Sequence, residues 1–370
     1  MRIAINTRFL LPHKMEGFGW FTYETVKRMV ESHPEHEFIF FFDRPFDSKF
    51  IFGNNVLPVV LHPQARHPLL FKIWFNWSVT RALKKYKVDV FLSPDGYLSL
   101  KTAIKQIAVI HDINFEHYPN DLPRSALNYL KKYFPQFAKK ANHIITVSNF
   151  SKNDIVKTYD IAESKVTVAH NAAAEIFKPI SLVEQEIVRD KFADGLPYFI
   201  FVGALHPRKN VGRLLMAFDD FKSKTKSKTK LVIVGENLWK NRRIENIVLL
   251  HQQDVIFTGH QSLENLAKLV AAARAMAFVS YFEGFGIPLV EAMQAGCPVL
   301  SGNLTSLPEV AEDAALYCDP FSNESITDGL IKIDSDEDLR KHLIEKGLKR
   351  AQNFSWNKSA EIIWQAIENC

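Results

Sequence analysis

The chain has 370 residues, of which 47% are hydrophobic and 24% are charged. This length exceeds a comfortable single core and the composition is that of a globular protein, so we expect two domains and exclude a disordered or fibrous chain. Residues 1–175 carry 23 basic and 16 acidic residues, a net charge of +7, whereas the remainder carries 23 and 25. A positive first half favours an anionic partner, such as lipid headgroups.

Targeting and metal-binding patterns are missing from the sequence. Residues 1–5 read as a strand rather than as a signal peptide, and the longest apolar stretches are too short to span a bilayer. The cysteines Cys297, Cys318 and Cys370 are scattered, with no disulfide framework or paired metal-ligand spacing. We therefore predict a cytoplasmic protein that needs no metal, contacts a membrane only peripherally and, lacking any nucleic-acid-binding motif, binds no nucleic acid.

Strand-like apolar runs alternate with helical patterns along the whole chain, which predicts parallel sheets with crossover helices. The runs lie at residues 3–5, 38–42, 88–92, 107–110 and 144–147, and then at 198–202, 231–234, 255–258, 275–281 and 299–301. We therefore predict an α/β protein with two Rossmann-like domains. The predicted boundaries are residues 1–175 for the first domain, 176–197 for a linker, 198–353 for the second domain and 354–370 for a last helix.

Two glycines follow the first strand. Gly17 and Gly19 precede a helix, where a glycine backbone can approach a phosphate group closely. The run fails as a dinucleotide fingerprint, because Thr22 replaces the third glycine and no acidic residue stands at the ribose position about 20 residues later. Gly17 is therefore a candidate for contact with a phosphate group.

Basic and aromatic residues are interleaved in two helical segments of the first half, residues 66–87 and 127–137. This mixture suits a helix at a membrane interface. The apolar positions equally suit a helix that packs on the sheet. Both interpretations remain open at this point.

The run at residues 107–110 ends in His111 and Asp112. Open α/β sheets bind their ligands beyond the carboxyl ends of the strands, so His111 is a candidate for ligand contact. A purely structural histidine is the alternative.

A basic pair follows the run at residues 198–202. Arg208 and Lys209 lie between Gly203 and the next helix, again beyond the carboxyl end of a strand. Their charges would neutralise a diphosphate group, and Gly203 would let the backbone approach it. Two exposed basic residues that cap a turn are the alternative.

The run that follows residues 275–281 is the most informative part of the sequence. Its candidate residues are Glu283, Gly284, Phe285, Gly286, Ile287, Pro288, Leu289 and Glu291. Pro288 is typical of a first helical turn, so the backbone N–H groups around Gly284 to Leu289 are expected to point at an anion with the helix dipole behind them. Glu283 and Glu291 add acceptors for hydroxyl groups, and this combination suits a sugar nucleotide.

With two glutamates separated by seven residues, inside the run E-G-F-G-I-P-L-V-E-A-M-Q-A-G-C-P-V, the chain resembles the retaining glycosyltransferases of family 4. The resemblance implies the GT-B fold, in which two Rossmann-like domains face a cleft and the C-terminal helix crosses back to the first domain. It also implies that Glu283 contacts the donor sugar and Glu291 the ribose.

The other candidates gain roles from the same resemblance. Lys209 stands where the family has a lysine, and Arg208 is the candidate replacement for an arginine that many members carry at the position of Ala204. Gly17 belongs to a glycine loop that approaches the donor diphosphate. His111 is expected to approach the donor sugar from the opposite domain.

The activity implied by the resemblance is retaining transfer of a hexosyl group from a nucleoside-diphosphate sugar to a hydroxyl of a glycan or lipid-linked glycan, in cell-surface polysaccharide assembly, without a cofactor. The alternatives are a nucleotide-sugar epimerase, a phosphorylase on the same scaffold, and a non-catalytic nucleotide-sugar binding protein. The donor nucleotide, the sugar and the acceptor are left open by the sequence.

Overall fold

The computed structural model describes residues 1–12, 15, 17–235 and 251–370. The chain divides into two compact units, one of Met1–Asn171 with Ser355–Cys370 and the other of Ala172–Phe354. Each unit is built on its own parallel sheet with helices, which confirms the predicted α/β fold with two Rossmann-like domains.

The first unit contains a seven-stranded sheet in the order β3-β2-β1-β4-β5-β6-β7, with parallel pairing throughout. Its strands are β1 Arg2–Asn6, β2 Glu37–Phe42, β3 Val56–Val60, β4 Val90–Ser93, β5 Lys105–Val109, β6 His143–Thr146 and β7 Val166–Val168. The central strands β1, β4 and β5 are buried along nearly their whole length, as expected when helices cover both faces of a parallel sheet.

The helices of the first unit are α1 Gly17–Ser32, α2 Pro68–Ile73, α3 Thr80–Lys85, α4 Asn114–His117, α5 Arg124–Lys140 and α6 Asn149–Tyr159. A π-helical segment, Trp74–Val79, joins α2 to α3 without a break, so residues 68–85 form one continuous helical rod. The buried side chains of this rod and of α5 belong to the same hydrophobic core.

The second unit contains a six-stranded parallel sheet in the order β10-β9-β8-β11-β12-β13. Its strands are β8 Tyr198–Val202, β9 Lys230–Val234, β10 Val255–Gly259, β11 Ala275–Phe278, β12 Val299–Gly302 and β13 Leu316–Cys318. Its helices are α7 Leu182–Ala193, α8 Val211–Thr225, α9 Leu263–Ala272, α10 Ile287–Gln294, α11 Leu307–Ala311, α12 Asn323–Ser335 and α13 Glu337–Ala351.

The segment expected to be a linker, residues 176–197, lies within the second unit. Its helix α7 begins with a capping box between Ser181 and Glu184 and packs on α9. Val188 and Ala193 are buried in that packing, so the segment is part of the domain and not a free connection.

The last helix, α14 Trp356–Glu368, belongs to the first unit and packs against α1. Trp364 stacks on the His33 ring at 3.6 Å between centroids, and the Trp356 ring lies 6.1 Å from that of Phe21. The predicted return of the C-terminal helix to the first domain is therefore confirmed. Among the described residues, no helix has both the length and the apolar character needed to cross a membrane.

Candidate active site

Two loops of the second unit meet at one edge of its sheet. Strands β8 and β11 are neighbours, and the loops that leave their carboxyl ends carry residues 203–210 and 279–286. The backbone N–H of Tyr281 donates to the Arg208 carbonyl at 3.0 Å and so joins the two loops. The basic pair and the glutamate-containing run, far apart in sequence, are therefore side by side in the fold.

Glu283 forms ion pairs with both predicted basic residues. Its Oε2 atom accepts from Arg208 Nη1 and its Oε1 atom accepts from Lys209 Nζ, each at 2.6 Å. Arg208 Nη1 also donates to the Phe282 carbonyl at 3.0 Å. The Glu283 side chain is only 5% exposed. The cluster of Arg208, Lys209 and Glu283, which we call the charge cluster, thus carries a net charge of +1 at the sheet edge.

The ionisation of Glu283 depends on these two cations. Burial by itself would raise the pKa of the carboxyl group, but the charges of Arg208 and Lys209 outweigh burial and lower the pKa of Glu283 to about 2. The carboxylate is therefore charged at neutral pH, where it can act only as an acceptor.

Residues after β12 hold the loop that carries Glu283. The Glu283 backbone N–H donates to Thr305 Oγ1 at 3.1 Å, and the buried Ser306 hydroxyl lies 2.9 Å from the Glu283 carbonyl and 3.1 Å from the Phe285 carbonyl. These contacts fix the backbone on both sides of Gly284. They give the charge cluster a rigid support.

Gly286 is the N-cap of α10 and has φ of +99°, in the left-handed region that favours glycine. A Cβ atom at this position would lie 2.9 Å from Leu307 Cδ2, so the turn also needs the missing side chain. Ile287 and Pro288 open the helix as predicted. One expected anion donor is wrong, because the Leu289 N–H already donates to the Gly286 carbonyl at 3.0 Å.

Glu291 lies in α10 and is half-buried. Burial raises the pKa of Glu291 to about 8, in contrast to the lowered pKa of Glu283. At neutral pH its carboxyl group is therefore largely protonated and can donate a hydrogen bond.

Gly203 and Ala204 follow β8 directly. The Gly203 N–H donates to the Val234 carbonyl at 3.0 Å, and a Cβ atom on Gly203 would lie 3.8 Å from Lys209 Cε. Gly203 thus borders the stem of Lys209, while the exposed Ala204 offers no polar side chain. Arg208 reaches Glu283 instead.

His111 lies at the end of β5 in the first unit. Its Nε2 atom is 2.9 Å from the Pro94 carbonyl, which can only accept, so Nε2 carries the proton and Nδ1 is an acceptor. The rings of Phe18 and Phe21 contact the imidazole edge-on at 4.7 and 4.9 Å. Burial lowers the pKa of His111, so the imidazole is neutral at physiological pH.

The two glycines before and in α1 differ in their surroundings. Gly17 is the first residue of α1, and a Cβ atom there would have no heavy atom of the described residues within 4 Å, its chain neighbours aside. A Cβ atom on Gly19 would lie 2.8 Å from the Phe9 carbonyl oxygen. The close approach of backbone to backbone therefore requires glycine at position 19, and position 17 has room for a side chain.

Sequence reasoning missed Asn210, which couples the two loops of the site. Asn210 has φ of +60°, and its Nδ2 atom donates to the Val279 carbonyl at 3.0 Å and to the Pro320 carbonyl at 2.6 Å. Asparagine tolerates the left-handed region better than most residues, so an Asn between a basic pair and a helix was the available signal.

We expect Asn210→Gly to lower the free energy of unfolding by about 3 kcal/mol, since it keeps the backbone angle but loses three hydrogen bonds worth about 1 kcal/mol each. Two of them are donated by Nδ2, and the third is accepted by Oδ1 from Arg213 Nη1 at 2.8 Å. Asn210→Ala should cost about 1 kcal/mol more because of the left-handed angle. Urea denaturation measures both. Asp160→Gly is the control, because Asp160 is exposed with φ of +49° and should tolerate glycine. Wild-type stability of Asn210→Gly would contradict this role.

Two family models match the chain. The model described as Glycosyltransferase Family 4 matches residues 15–173, and the model described as Glycosyl transferases group 1 matches residues 182–350. Together they cover most of both units.

Proteins with related sequences include two mannosyltransferases. O-antigen chain mannosyltransferase B of Escherichia coli is 28% identical over 363 residues, which cover 94% of each chain. O-antigen chain mannosyltransferase RfbU of Salmonella typhimurium is 26% identical, over 70% of this chain and 69% of its own.

Solved structures agree on the fold. WaaG, a glycosyltransferase involved in lipopolysaccharide biosynthesis, superposes with a TM-score of 0.77 at 17% identity and covers 99% of each chain. Anabaena HepE in complex with UDP and glucose gives a TM-score of 0.76 at 15% identity over the whole of both chains. By its two family models and its GT-B fold, this chain belongs to the glycosyltransferases of family 4.

Proposed function

We propose that the chain transfers a hexosyl group, with retention of anomeric configuration, from a nucleoside-diphosphate sugar to a hydroxyl of a glycan or lipid-linked glycan. The observation that carries this proposal is the charge cluster at the carboxyl ends of β8 and β11. Arg208 and Lys209 supply two positive charges for the diphosphate, and Glu283 supplies a charged acceptor for sugar hydroxyls.

The relatives support a narrower choice of substrates. The two O-antigen mannosyltransferases favour mannose as the transferred sugar and a cell-surface polysaccharide as the product. HepE, crystallised with UDP-glucose, supports a nucleoside diphosphate as the carrier. We therefore propose a nucleoside-diphosphate mannose as the donor.

The chemical step follows from where charge develops. As the bond between the sugar and the diphosphate breaks, negative charge builds up on the departing phosphate oxygen, where Arg208, Lys209 and the amino end of α10 stabilise it. We propose that this oxygen accepts the proton of the acceptor hydroxyl while the new glycosidic bond forms on the same face of the sugar. The two side-chain cations then neutralise the charge that a divalent metal neutralises in metal-dependent enzymes, and no cofactor is needed.

We propose that His111 and Glu291 have the roles that the family resemblance implies. The neutral imidazole of His111 presents Nδ1 as an acceptor for a sugar hydroxyl. The protonated Glu291 is able to donate to, or accept from, a ribose hydroxyl.

Product analysis tests the proposed function. The full chain is incubated in EDTA with nucleoside-diphosphate mannose, glucose, galactose and N-acetylglucosamine, each with lipid-linked saccharides extracted from a bacterial envelope. We expect one donor to add a single hexose to the acceptor, detected by mass spectrometry, with the donor's anomeric configuration retained by NMR. Inversion would contradict the retaining mechanism. Conversion of the donor sugar without any acceptor would instead support the epimerase alternative.

A further inference from the structure

The helical rod of residues 68–85 exposes an apolar stripe on the side away from the core. Leu69, Ile73 and Trp77 follow one another at intervals of four residues and are 67%, 44% and 59% exposed. On the opposite side of the rod, Trp74 and Phe75 are fully buried in the core. The core therefore does not use these three large side chains, which is unusual for residues of this size.

The two chain segments that form the rod and the helix beside it are rich in basic residues. Residues 48–88 contain seven lysines and arginines and no aspartate or glutamate, and residues 122–153 contain six and none. The second segment includes helix α5, which lies beside the rod, since the rings of Phe71 and Tyr129 are 5.7 Å apart. The rod and α5 together expose nine basic residues: Lys72, Arg81, Lys84, Lys85, Arg124, Lys131, Lys132, Lys139 and Lys140.

Most of these charges are not neutralised by the protein. Within the part of the chain that the structure describes, one of the nine, Lys131, has an acidic partner, Glu116 at 3.9 Å. The Arg81 guanidinium lies 5.9 Å from the centre of the exposed Trp77 ring, so cation and indole occur together at the surface. We call the stripe and the nine exposed basic residues of the rod and α5 the basic helical face.

A second exposed apolar stripe differs from the first in the charges that accompany it. On α7, Leu182, Val183 and Ile187 are 75%, 65% and 60% exposed. The same helix, however, carries three acidic residues, Glu184, Glu186 and Asp190, against two basic residues, Arg189 and Lys191. An anionic surface would therefore be attracted to the basic helical face and not to α7.

We propose that the basic helical face binds the surface of an anionic lipid bilayer. Leu69, Ile73 and Trp77 would enter the boundary between headgroups and acyl chains, while the nine basic side chains contact the headgroup phosphates. A soluble polyanion would match the charge but would leave the apolar stripe in water. A bilayer is the partner that uses both features, and it would also bring the enzyme to lipid-linked acceptors.

The apolar contribution is tested by co-sedimentation of the full chain with vesicles of phosphatidylcholine alone or mixed with phosphatidylglycerol. We expect binding to the mixed vesicles only, and a loss of affinity of about tenfold or more in the variant Leu69→Ser/Ile73→Ser/Trp77→Ser. Leu182→Ser/Val183→Ser/Ile187→Ser is the matched control and should bind like the wild type. Thermal unfolding verifies that both variants are folded.

The electrostatic contribution is tested by Lys72→Glu/Lys84→Glu/Lys85→Glu, which should bind the mixed vesicles at least about tenfold more weakly. The control Lys224→Glu/Lys226→Glu/Lys228→Glu makes the same charge change on exposed lysines of the second unit and should not reduce binding. Binding should also fall as salt is added.

No binding to mixed vesicles at low salt would overturn the proposal. Loss of binding in the glutamate variant with full binding in the serine variant would also overturn it, in favour of a polyanion site.

Discussion

Replacing Glu283 by glutamine is expected to lower the turnover number of glycosyl transfer by about a hundredfold or more. The substitution removes the negative partner of Arg208 and Lys209, and with it two charge-assisted hydrogen bonds worth about 1.5–3 kcal/mol each. The cations lose their fixed position, and the sugar loses a charged acceptor. Steady-state kinetics with the donor identified by product analysis measures the effect.

Glu337→Gln is the matched control for this experiment. Glu337 also binds a lysine, Lys341 at 2.8 Å, but both side chains are well exposed and lie outside the charge cluster. Exposed pairs of this kind contribute little, so stability and turnover should be nearly unchanged. Turnover of Glu283→Gln within a few-fold of the control would remove Glu283 from the site.

The difference in the free energy of unfolding between the wild type and Glu283→Gln is expected to depend on pH. The pKa of Glu283 in the folded protein, about 2, lies below its ordinary value, so the carboxylate stabilises the fold fully above pH 5. This stabilisation is lost as the pH falls towards 2, and less than about half of it should remain at pH 3. Urea denaturation of the wild type and Glu283→Gln at both pH values measures it. A constant difference between the two proteins would show that the pKa is not lowered.

Apart from substitutions of Glu283, Lys209→Met is the single substitution that we expect to lower kcat/KM for the donor most. Methionine keeps the apolar stem but removes the charge that lies 2.6 Å from Glu283 Oε1. We expect kcat/KM for the donor to fall by about a hundredfold or more, because a charged contact to the departing phosphate strengthens in the transition state. The measurement is a progress curve for release of the nucleoside diphosphate.

Lys222→Met provides a control at the other end of α8. The Lys222 and Lys209 side chains are equally exposed, at 13%, and Lys222 also pairs with a carboxylate, Asp254 at 3.1 Å. This substitution should lower stability while leaving kcat/KM for the donor unchanged. Equal losses of kcat/KM in the two variants would mean that Lys209 acts only through stability.

The main features of the site follow from the sequence through one rule. Parallel strands place their carboxyl ends at the same edge, so the residues after β8 and those after β11 were each expected at the ligand-binding edge of the sheet. The structure brings Arg208, Lys209 and Glu283 together at that edge. What the pattern could not show is that the two cations share one carboxylate. That detail depends on side-chain geometry.

The site residues that the sequence did not predict form hydrogen bonds with residues far away in the sequence. Ser306 binds carbonyl groups more than 20 positions earlier, and Asn210 binds the Pro320 carbonyl 110 positions later. Neither contact leaves a local pattern. The π-helical turn at Trp74–Val79 was equally hidden, because hydrophobic spacing over so short a segment does not distinguish a π from an α turn.

The central claim is that the charge cluster binds a diphosphate group without a metal. Its most direct test is isothermal titration calorimetry, with GDP and UDP each titrated into the full chain in the presence of EDTA. We expect one of the two to bind with a stoichiometry of one, without a metal, and Lys209→Met to weaken this binding by about tenfold or more. Absence of binding by both nucleotides, or binding only after magnesium is added, would contradict the assignment of the charge cluster as a metal-independent diphosphate site.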